Sequence, residues 1–467
     1  MFKKIFAINL LIILVFTVSS CRIKGTEKEI SNFSGIVLNY YKMNDDRTVI
    51  EPIIAEYVQK KKGLVINYKS FDDFDVYIRT ILNEMAEGEG PDIFSMPNSW
   101  FASNYKKLSS MPSDYGSLND FDSLFVDVAS KDLIQVDNDG VEKIFAIPMT
   151  VDTLAIYYNK SHFEDRIPTQ GKPSNTWDGI LNDVVQLNKF NFNNDNFEVS
   201  GIAMGTGSNI SNSVDILFAL MQQAGVSFYD DKMSITRFAS TNAFSSGKTL
   251  LDILNLYSGF ADFSKRNYSW NFTMADSKSE LKEIESFING NVSMIIGYSD
   301  LYEKIVKEIN NSRNFRSQVI NVDDVRIAPF PQLLETSGTN FKRVAYANYF
   351  AETVSRNTNH ADIAWDFLVF LTQKNNLQNY FDKTKKPTSR RDMIEDQMKN
   401  PIYGVFASQI GYAESFPIVD IVKYREYFVE MLDFIAEGGD KTRAYKEVET
   451  QINKLLPSSG FKSQKIN

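Results

Sequence analysis

The chain has 467 residues, 43% hydrophobic and 13% aromatic, which is enough apolar surface for the cores of two or more domains. Its 59 acidic residues outnumber its 50 lysines and arginines, and the resulting charge of -9 argues against a nucleic-acid-binding protein, which needs cations to neutralise phosphates. The single cysteine excludes an intramolecular disulfide, and the two histidines, His162 and His360, exclude a histidine-rich metal centre. The sequence therefore predicts a protein that uses carboxylates, amides, hydroxyls and aromatic rings, with no metal and no cofactor.

The N-terminal segment has the pattern of an export signal. Two lysines precede an apolar stretch at residues 5–18, and small residues then lead to Cys21. This pattern is similar to a bacterial lipobox, in which the cysteine is acylated and becomes the new N-terminus. The alternative is an ordinary secretory signal with an incidental cysteine. We expect a signal peptide at 1–20, a lipidated tether at 21–32, and an extracytoplasmic protein anchored by lipid at the outer face of the cell membrane or in the periplasm.

Strand and helix patterns alternate along the first quarter of the chain. Residues 36–41 have the pattern of a buried strand, residues 50–61 that of an amphipathic helix, and residues 64–68 that of a second strand. A second helix over 72–86 and a short strand at 92–94 follow. Such alternation predicts a mostly parallel sheet with helices on both faces.

Further elements are predicted along the rest of the chain. Residues 134–136 and 143–147 flank the turn sequence at 137–140 and predict a β-hairpin. A strand is expected at 154–158. Helices are expected around residues 176–187, 214–223 and 362–371.

The motifs of common enzymes are incomplete in this chain. Residues 244–249 end like a phosphate-binding loop, but Asn242 occupies the position of its first glycine, and the segment suits the start of a helix better. The turn at 137–140 lacks the first and twelfth ligands of a calcium loop. Paired carboxylates, which glycosidases use, are common in any acidic chain, so their number neither supports nor excludes a polysaccharide-degrading enzyme.

Several segments of the sequence occur together, in order, in one protein family. They are EGEGPDIF at 87–94, IFAIPMTVDTLAIYYNK at 144–160, NTWD at 175–178, FINGNVSM at 287–294, IAPFP at 327–331 and AWDFL at 364–368. These collinear blocks resemble bacterial extracellular solute-binding proteins of family 1, the maltose-binding-protein-like substrate-binding lipoproteins of ABC importers. Asn291 and Ser293 depart conservatively from the family's pattern in the fourth block.

The resemblance implies an α/β architecture, the two-lobed periplasmic-binding-protein-like fold of type II. Each lobe is expected to hold a mixed sheet flanked by helices, and the chain crosses the hinge more than once. Lobe one would comprise residues 33–149 plus 328–385, and lobe two residues 150–327 plus 386–467. A ligand in the cleft between the lobes stabilises the closed state, which the permease subunits recognise.

Loops that follow two of the predicted strands supply polar and aromatic candidates for the ligand site. Open α/β sheets bind ligands at the carboxyl ends of their strands. Sugars present apolar C–H faces to aromatic rings and hydroxyls to carboxylates and amides. The candidates in these two loops are Lys42, Asn44, Asp45, Asn98, Ser99 and Trp100.

Four further candidates lie later in the chain. Asp152 resembles, by its place in the block at 144–160, a position where maltose-binding-like proteins carry a sugar-binding carboxylate; alternatively, it caps or orders the hinge. Tyr298 matches a family position from which a ring stacks on ligand, but it also suits packing at a helix start. Trp270 and Tyr349 are weaker candidates, for which core packing is the favoured interpretation.

The resemblance thus implies a monomeric solute-binding lipoprotein, not an enzyme, that delivers a small solute, most plausibly a sugar or oligosaccharide, to an ABC importer permease. Other polar solutes stay open: a polyamine would require an acidic pocket and a polyol phosphate a basic one. A ligand-sensing lipoprotein and a polysaccharide-degrading enzyme are the alternatives from other functional classes.

Overall fold

The computed structural model describes most of the chain after residue 32. The described residues are 33–45, 47–191, 196–239, 246–275, 278–312, 319–333 and 343–457. The predicted signal peptide, the tether and Cys21 lie outside them, as do residues 458–467 of predicted lobe two. Within these ranges, no helix has the length and apolar character needed to cross a membrane.

The described elements alternate between strands and helices for most of the chain. The first part contains β1 (Val37–Met43), α1 (Arg47–Lys60), β2 (Val65–Phe71), α2 (Phe74–Glu87), β3 (Ile93–Pro97), α3 (Phe101–Asn104), α4 (Leu118–Leu124), α5 (Asp127–Leu133), β4 (Ile134–Val136), β5 (Glu142–Ile144) and β6 (Ala146–Pro148). The middle part contains β7 (Asp152–Thr153), β8 (Ala155–Asn159), α6 (Lys160–Arg166), α7 (Trp177–Leu187), β9 (Lys189–Phe190), β10 (Phe197–Val199), α8 (Ser213–Gln223), α9 (Leu250–Ser258), α10 (Lys282–Ile288), β11 (Met294–Gly297), α11 (Leu301–Ser312) and β12 (Val325–Pro329). The last part contains β13 (Ala345–Asn348), β14 (Phe350–Val354), α12 (Ala361–Leu371), α13 (Lys374–Thr384), α14 (Arg391–Gln397), α15 (Gly404–Gln409), β15 (Ala413–Glu414), α16 (Ile421–Ala436) and α17 (Lys441–Leu455).

Short sequence signals define the ends of several elements. The Asp73 side chain accepts a hydrogen bond from the third residue of α2, and Gly88 ends that helix with φ +80°. Thr176 caps α7 in the same way as Asp73 caps α2. Thr249 forms a capping box at the start of α9, so the last residue of the segment that ends like a phosphate-binding loop caps a helix, while residues 244 and 245 lie outside the described residues. The predicted hairpin is confirmed in part: β4 pairs antiparallel with β5, but the residues predicted as its second strand are divided between β5 and β6, and β6 pairs with β14 instead.

The first sheet has five strands in the order β2-β1-β3-β14-β6. β1 pairs parallel with β2 and with β3, as the alternation of strands and helices predicts. Leu38 and Tyr40 of β1 are fully buried, whereas Val37 is 43% exposed. β14 then pairs antiparallel with both β3 and β6, so the sheet is mixed. The carboxyl end of β1 therefore lies near the beginning of β14 in a sheet built from distant parts of the chain.

The second sheet has three strands in the order β11-β8-β12. Both neighbours of β8 run antiparallel to it, in contrast to the parallel pairing of β1 with β2 and β3. Periodicity identifies a strand but not the direction of its partner, and partner direction here is set by how the long connections return. All five residues of β8 are buried, as expected for a central strand.

The apolar side chains form two separate cores, one for each lobe. The chain passes from the first core at Val151 to the second at Leu154. It returns within β13, where Tyr346 packs in the second core and Ala347 packs in the first. A small sheet of β15, β13 and β7 joins these crossings. The last helices, α16 and α17, contribute to the second core, so the chain crosses again after α14.

Several buried residues pack in the other core than the one that the predicted lobe boundaries assign to them, and three of them illustrate the difference. Phe330 and Leu333 fall in the range predicted for lobe one, but they pack in the second core because β12 pairs with β8. Met393 falls in the range predicted for lobe two, but it packs in the first core. Judged by core packing, the later crossings between the lobes thus lie farther along the chain than the boundaries predicted from the sequence.

Candidate ligand-binding cleft

A cavity of about 790 Å³ lies where elements of both cores meet. We call it the cleft. Its volume is in the range of small-molecule sites in proteins. The lining residues are Lys42, Met43, Asn44, Asp45, Arg47, Ser70, Asp72, Thr150, Asp152, Asn212, Asp215, Tyr298, Asp300, Asn348, Tyr349, Phe350, Tyr380, Lys386 and Arg425.

The first wall of the cleft is a buried network of charged groups at the carboxyl end of β1. Lys42 forms ion pairs with Glu352 of β14 and, at 3.3 Å, with Asp45. Asp45 also accepts hydrogen bonds from Tyr380 (2.7 and 2.8 Å) and Lys386 (3.2 Å). Burial lowers the pKa of Lys42, but the carboxylates of Glu352 and Asp45 outweigh this effect and raise the pKa above its ordinary value. Lys42 is therefore a permanently charged part of this wall.

Backbone contacts fix the loop that carries these groups. Asn44 adopts a left-handed conformation with φ +59°, which turns the chain directly after β1. The carbonyl oxygen of Asp45 accepts hydrogen bonds from the hydroxyls of Tyr68 (2.8 Å) and Ser70 (2.7 Å), both on β2. Because β1 and β2 pair in parallel, the hydroxyls of Tyr68 and Ser70 lie beside the turn. Their hydrogen bonds fix the backbone of Asp45 and so hold its side chain in the first wall.

The second wall is built around Asp215, in the first turn of α8. Its carboxylate accepts hydrogen bonds from Arg425 of α16 (2.8 and 3.0 Å) and from the hydroxyl of Tyr298 (2.7 Å). Burial, followed by the neighbouring carboxylate, raises the pKa of Tyr298 well above its ordinary value, so the hydroxyl stays protonated. Tyr298 is therefore anchored by its hydroxyl while its ring lines the cleft.

Asp152 lies at the hinge and also lines the cleft. Its carboxylate accepts hydrogen bonds from the Ser299 backbone (3.0 Å), the Ser299 hydroxyl (2.6 Å) and the Thr153 backbone (2.8 Å). Burial raises the pKa of Asp152 to about 7, against the lowering effect of the Ser299 bonds, and Asp300 raises it further. Asp152 thus joins the crossing strand β7 to the turn before α11. This contact agrees with the interpretation that Asp152 orders the hinge. The residue also lines the cavity.

Tyr349 and Asn98 meet at a second buried carboxylate, Asp132. The hydroxyl of Tyr349 (2.8 Å), the amide of Asn98 (3.1 Å) and the hydroxyl of Ser415 (2.5 Å) donate to it. Burial raises the pKa of Asp132 to about 6, although these three hydrogen bonds lower it. Tyr349 lines the cleft, but Asn98 is 5% exposed and does not.

Three other predicted residues also lie away from the cleft. Ser99 is buried, and its carbonyl accepts a hydrogen bond from Ile418 (2.7 Å). Trp100 packs edge-on against Phe74 and lines a shallow groove beside α2. Trp270 is fully buried in the second core and donates to Asn209 (3.1 Å), which is the core packing that the sequence favours.

The structure thus divides the predicted site residues into two groups. Those that it brings together in the cleft are Lys42, Asn44, Asp45, Asp152, Tyr298 and Tyr349. Sequence reasoning missed the other polar residues of the same cavity, and four of them belong to the two walls: Asp215, Tyr380, Lys386 and Arg425. Three of these four lie within or directly after helices with ordinary amphipathic or apolar patterns, so no local signal distinguishes them.

Comparisons with known proteins bear on the family and the fold of the chain. The sequence profile described as "Bacterial extracellular solute-binding protein" matches residues 42–376. A search of curated protein sequences finds no match.

Solved structures of sugar-binding proteins share the fold. The sugar-binding protein MalE from Xanthomonas citri is 12% identical, with a TM-score of 0.69 over 90% of this chain and 97% of that one. An ABC substrate-binding protein from Listeria monocytogenes, solved with cycloalternan, is 15% identical, with a TM-score of 0.66 over 90% of this chain and 98% of that one. A Thermotoga lettingae solute-binding protein bound to alpha-D-tagatose is 18% identical, with a TM-score of 0.63 over 90% and 99%.

These likenesses confirm the two-lobed type II α/β fold, in which mixed or antiparallel sheets are flanked by helices. The profile match covers most of the chain, from the last part of β1 to the start of α13. The chain therefore belongs to the bacterial extracellular solute-binding protein family.

Proposed function

We propose that this protein captures a sugar or oligosaccharide in the cleft and delivers it to the permease of an ABC importer. It acts outside the cytoplasm as a monomer, anchored by lipid on Cys21. The observation that carries the proposal is the composition of the cleft: two walls from different lobes combine aromatic rings with fixed hydrogen-bonding groups.

The lining suits the two kinds of surface that a sugar presents. The rings of Tyr298 and Phe350 offer apolar faces for C–H groups. Asp152, Asp215 and Arg425 offer acceptors and donors for hydroxyls, and their positions are set by hydrogen bonds within the protein. Because these groups are held before the ligand arrives, binding costs little ordering of side chains.

In this proposal, the permease recognises the closed state of the two lobes. A ligand that contacts Lys386 on the first wall and Arg425 on the second interacts with both lobes at once. Such a ligand favours the closed state by its additional contacts there. The strands β7 and β13, which cross between the cores, are short enough to act as the hinge.

A thermal-shift screen of the purified protein against neutral mono- to tetrasaccharides tests the proposal. A bound saccharide raises the melting temperature in a concentration-dependent way. We expect this rise to disappear in Asp215→Asn and to persist in Asp392→Asn, whose carboxylate lies outside the cleft.

Other outcomes of the screen identify the alternatives. If amino acids or polyamines stabilise the protein and saccharides do not, the carbohydrate assignment is wrong. Release of cleaved product into solution would indicate the enzyme, with Asp152 and Asp300 as the carboxylate pair to examine. Binding without a growth defect in a gene deletion would indicate the sensor.

A further inference from the structure

The cations of the first wall are already neutralised. Lys42, which is 4% exposed, contacts the carboxylates of both Glu352 and Asp45. Lys386 contacts Asp45 at 3.2 Å. The two lysines and the two carboxylates together carry no net charge. An anionic group on a ligand would have to displace one of these buried carboxylates to obtain a full ion pair.

The two other cations that line the cleft are paired as well. Arg425 contacts Asp215 at 2.8 Å, and Asp215 is 2% exposed and so remains fixed beside it. Arg47 contacts Glu51 at 3.2 Å, and both side chains are largely exposed, so this pair contributes little to the field inside the cleft. The second wall is therefore also close to neutral.

Three carboxylates of the cleft lack such compensation. Asp72, Asp152 and Asp300 line the cavity, and none of them forms an ion pair with a lysine or arginine in the part of the chain that the structure describes. Asp300 acts electrostatically on Asp152, so at least these two lie near each other. The unpaired charge of the cleft is thus negative, and it comes from both lobes.

We infer that the cleft selects saccharides by charge: it prefers saccharides with an ammonium group, accepts neutral ones, and rejects those with carboxylate or sulfate groups. This inference rests on the proposed function and adds a substrate class to it. An ammonium group would meet the exposed carboxylates of Asp72 and Asp300, which line the cleft without an ion-pair partner among the described residues, and the ionised fraction of Asp152. A carboxylate or sulfate would find each cation of the cleft already paired with a carboxylate, and it would be repelled by Asp72 and Asp300 and by Asp152 in its ionised form.

Matched oligosaccharides of equal length test the inference. The probes are chitosan oligosaccharides with free amines, the same chains fully N-acetylated, neutral gluco-oligosaccharides, and oligogalacturonates. The purified protein is mixed with equal amounts of each set at low ionic strength, and complexes are measured by native mass spectrometry. We expect the aminated set to be bound about tenfold more than the neutral sets, a difference typical of one favourable charge contact, and the acidic set to be unbound.

Variants assign the preference to named carboxylates. Asp72→Asn combined with Asp300→Asn should reduce the preference for aminated over neutral probes to about twofold or less, because it removes two of the three unpaired charges. Glu142→Gln is the matched control, since Glu142 is an exposed carboxylate on the β4–β5 hairpin that does not line the cleft. An unchanged preference in the double variant would overturn the assignment.

The outcomes separate this inference from the proposed function. Binding of neutral probes without any charge preference, or preferred binding of oligogalacturonates, overturns the charge selectivity and leaves the sugar-binding function in place. Absence of every saccharide complex overturns both.

Discussion

The two walls of the cleft are built from similar charged side chains, but they differ in how many polar partners those side chains already have within the protein. In the first wall, Lys42 and Glu352 have exposed side-chain fractions of 5% and 0%, and each has at least two polar partners. In the second wall, Arg425 has a side-chain exposure of 38% and pairs with one carboxylate. The first wall is a fully satisfied network that fixes its own shape, whereas the second keeps donors free for ligand.

The largest effect should follow from breaking the first wall. Glu352→Ala removes the carboxylate that pairs with Lys42 and accepts from Tyr40, and it leaves a buried ammonium with Asp45 as its remaining anion. We expect the free energy of unfolding to fall by about 3–5 kcal/mol, measured by urea denaturation. Glu56→Gln breaks an exposed pair with Lys60 and should cost at most about 0.5 kcal/mol. Equal losses of unfolding free energy in Glu352→Ala and Glu56→Gln would show that the buried network stabilises the protein no more than an exposed ion pair does.

The corresponding change in the second wall should affect stability less and binding more. Asp215→Asn keeps the shape of the side chain but removes its charge, and Arg425 can still reach solvent. We expect a loss of about 1–2 kcal/mol in the free energy of unfolding. The affinity for saccharide, measured by calorimetry, should fall about 100-fold because Arg425 and Tyr298 lose their anchor. Unchanged affinity would show that this wall does not contact ligand.

The hinge carboxylate Asp152 adds a pH dependence to the stability of the protein. Burial raises the pKa of Asp152 to about 7, so the folded protein holds this proton more tightly than the unfolded chain does. The resulting stabilisation is complete below about pH 4 and is lost as the pH rises through 7. In Asp152→Asn this component should disappear, and the melting temperature should fall about 2 °C less between pH 5 and pH 8 than in the unmodified protein. The same decline in both proteins would show that another group is responsible.

The smallest effect is expected for Tyr298→Phe. The change removes one hydrogen bond to Asp215 but keeps the ring and the Arg425 contact. Unfolding measurements should show a loss of about 1 kcal/mol. Saccharide affinity should fall less than in Tyr298→Ala, because stacking on the ring is retained. Equal affinities of the Phe and Ala variants would argue against stacking.

Sequence reasoning predicted the first lobe better than the second. The alternation of strands and helices from β1 to α2 predicts that β1 and β2 lie side by side in parallel, connected by the helix α1. The structure has this pairing. The pairing of β8 depends on strands that return from long connections, and no local pattern encodes that direction.

The same difference between local patterns and long-range contacts explains which residues of the cleft could be predicted from the sequence. Lys42, Asn44 and Asp45 directly follow a strong strand signal, and Asp152 and Tyr298 lie in blocks that resemble the family. Arg425 comes to Asp215 from 210 residues away, and only the tertiary fold shows that contact. Trp270 was ambiguous because an aromatic residue in a loop has the same sequence pattern whether it packs or binds.

The place of β14 in the first sheet has a consequence for how the protein is made. β14 lies between β3 and β6, and the contact between Asn98 and Tyr349 at its entrance spans 251 residues. During synthesis, β1, β2 and β3 emerge early, but the strand that completes their sheet emerges only after most of the second lobe. The first lobe therefore cannot complete its sheet until about three quarters of the chain has been translated, because β14 pairs with both β3 and β6.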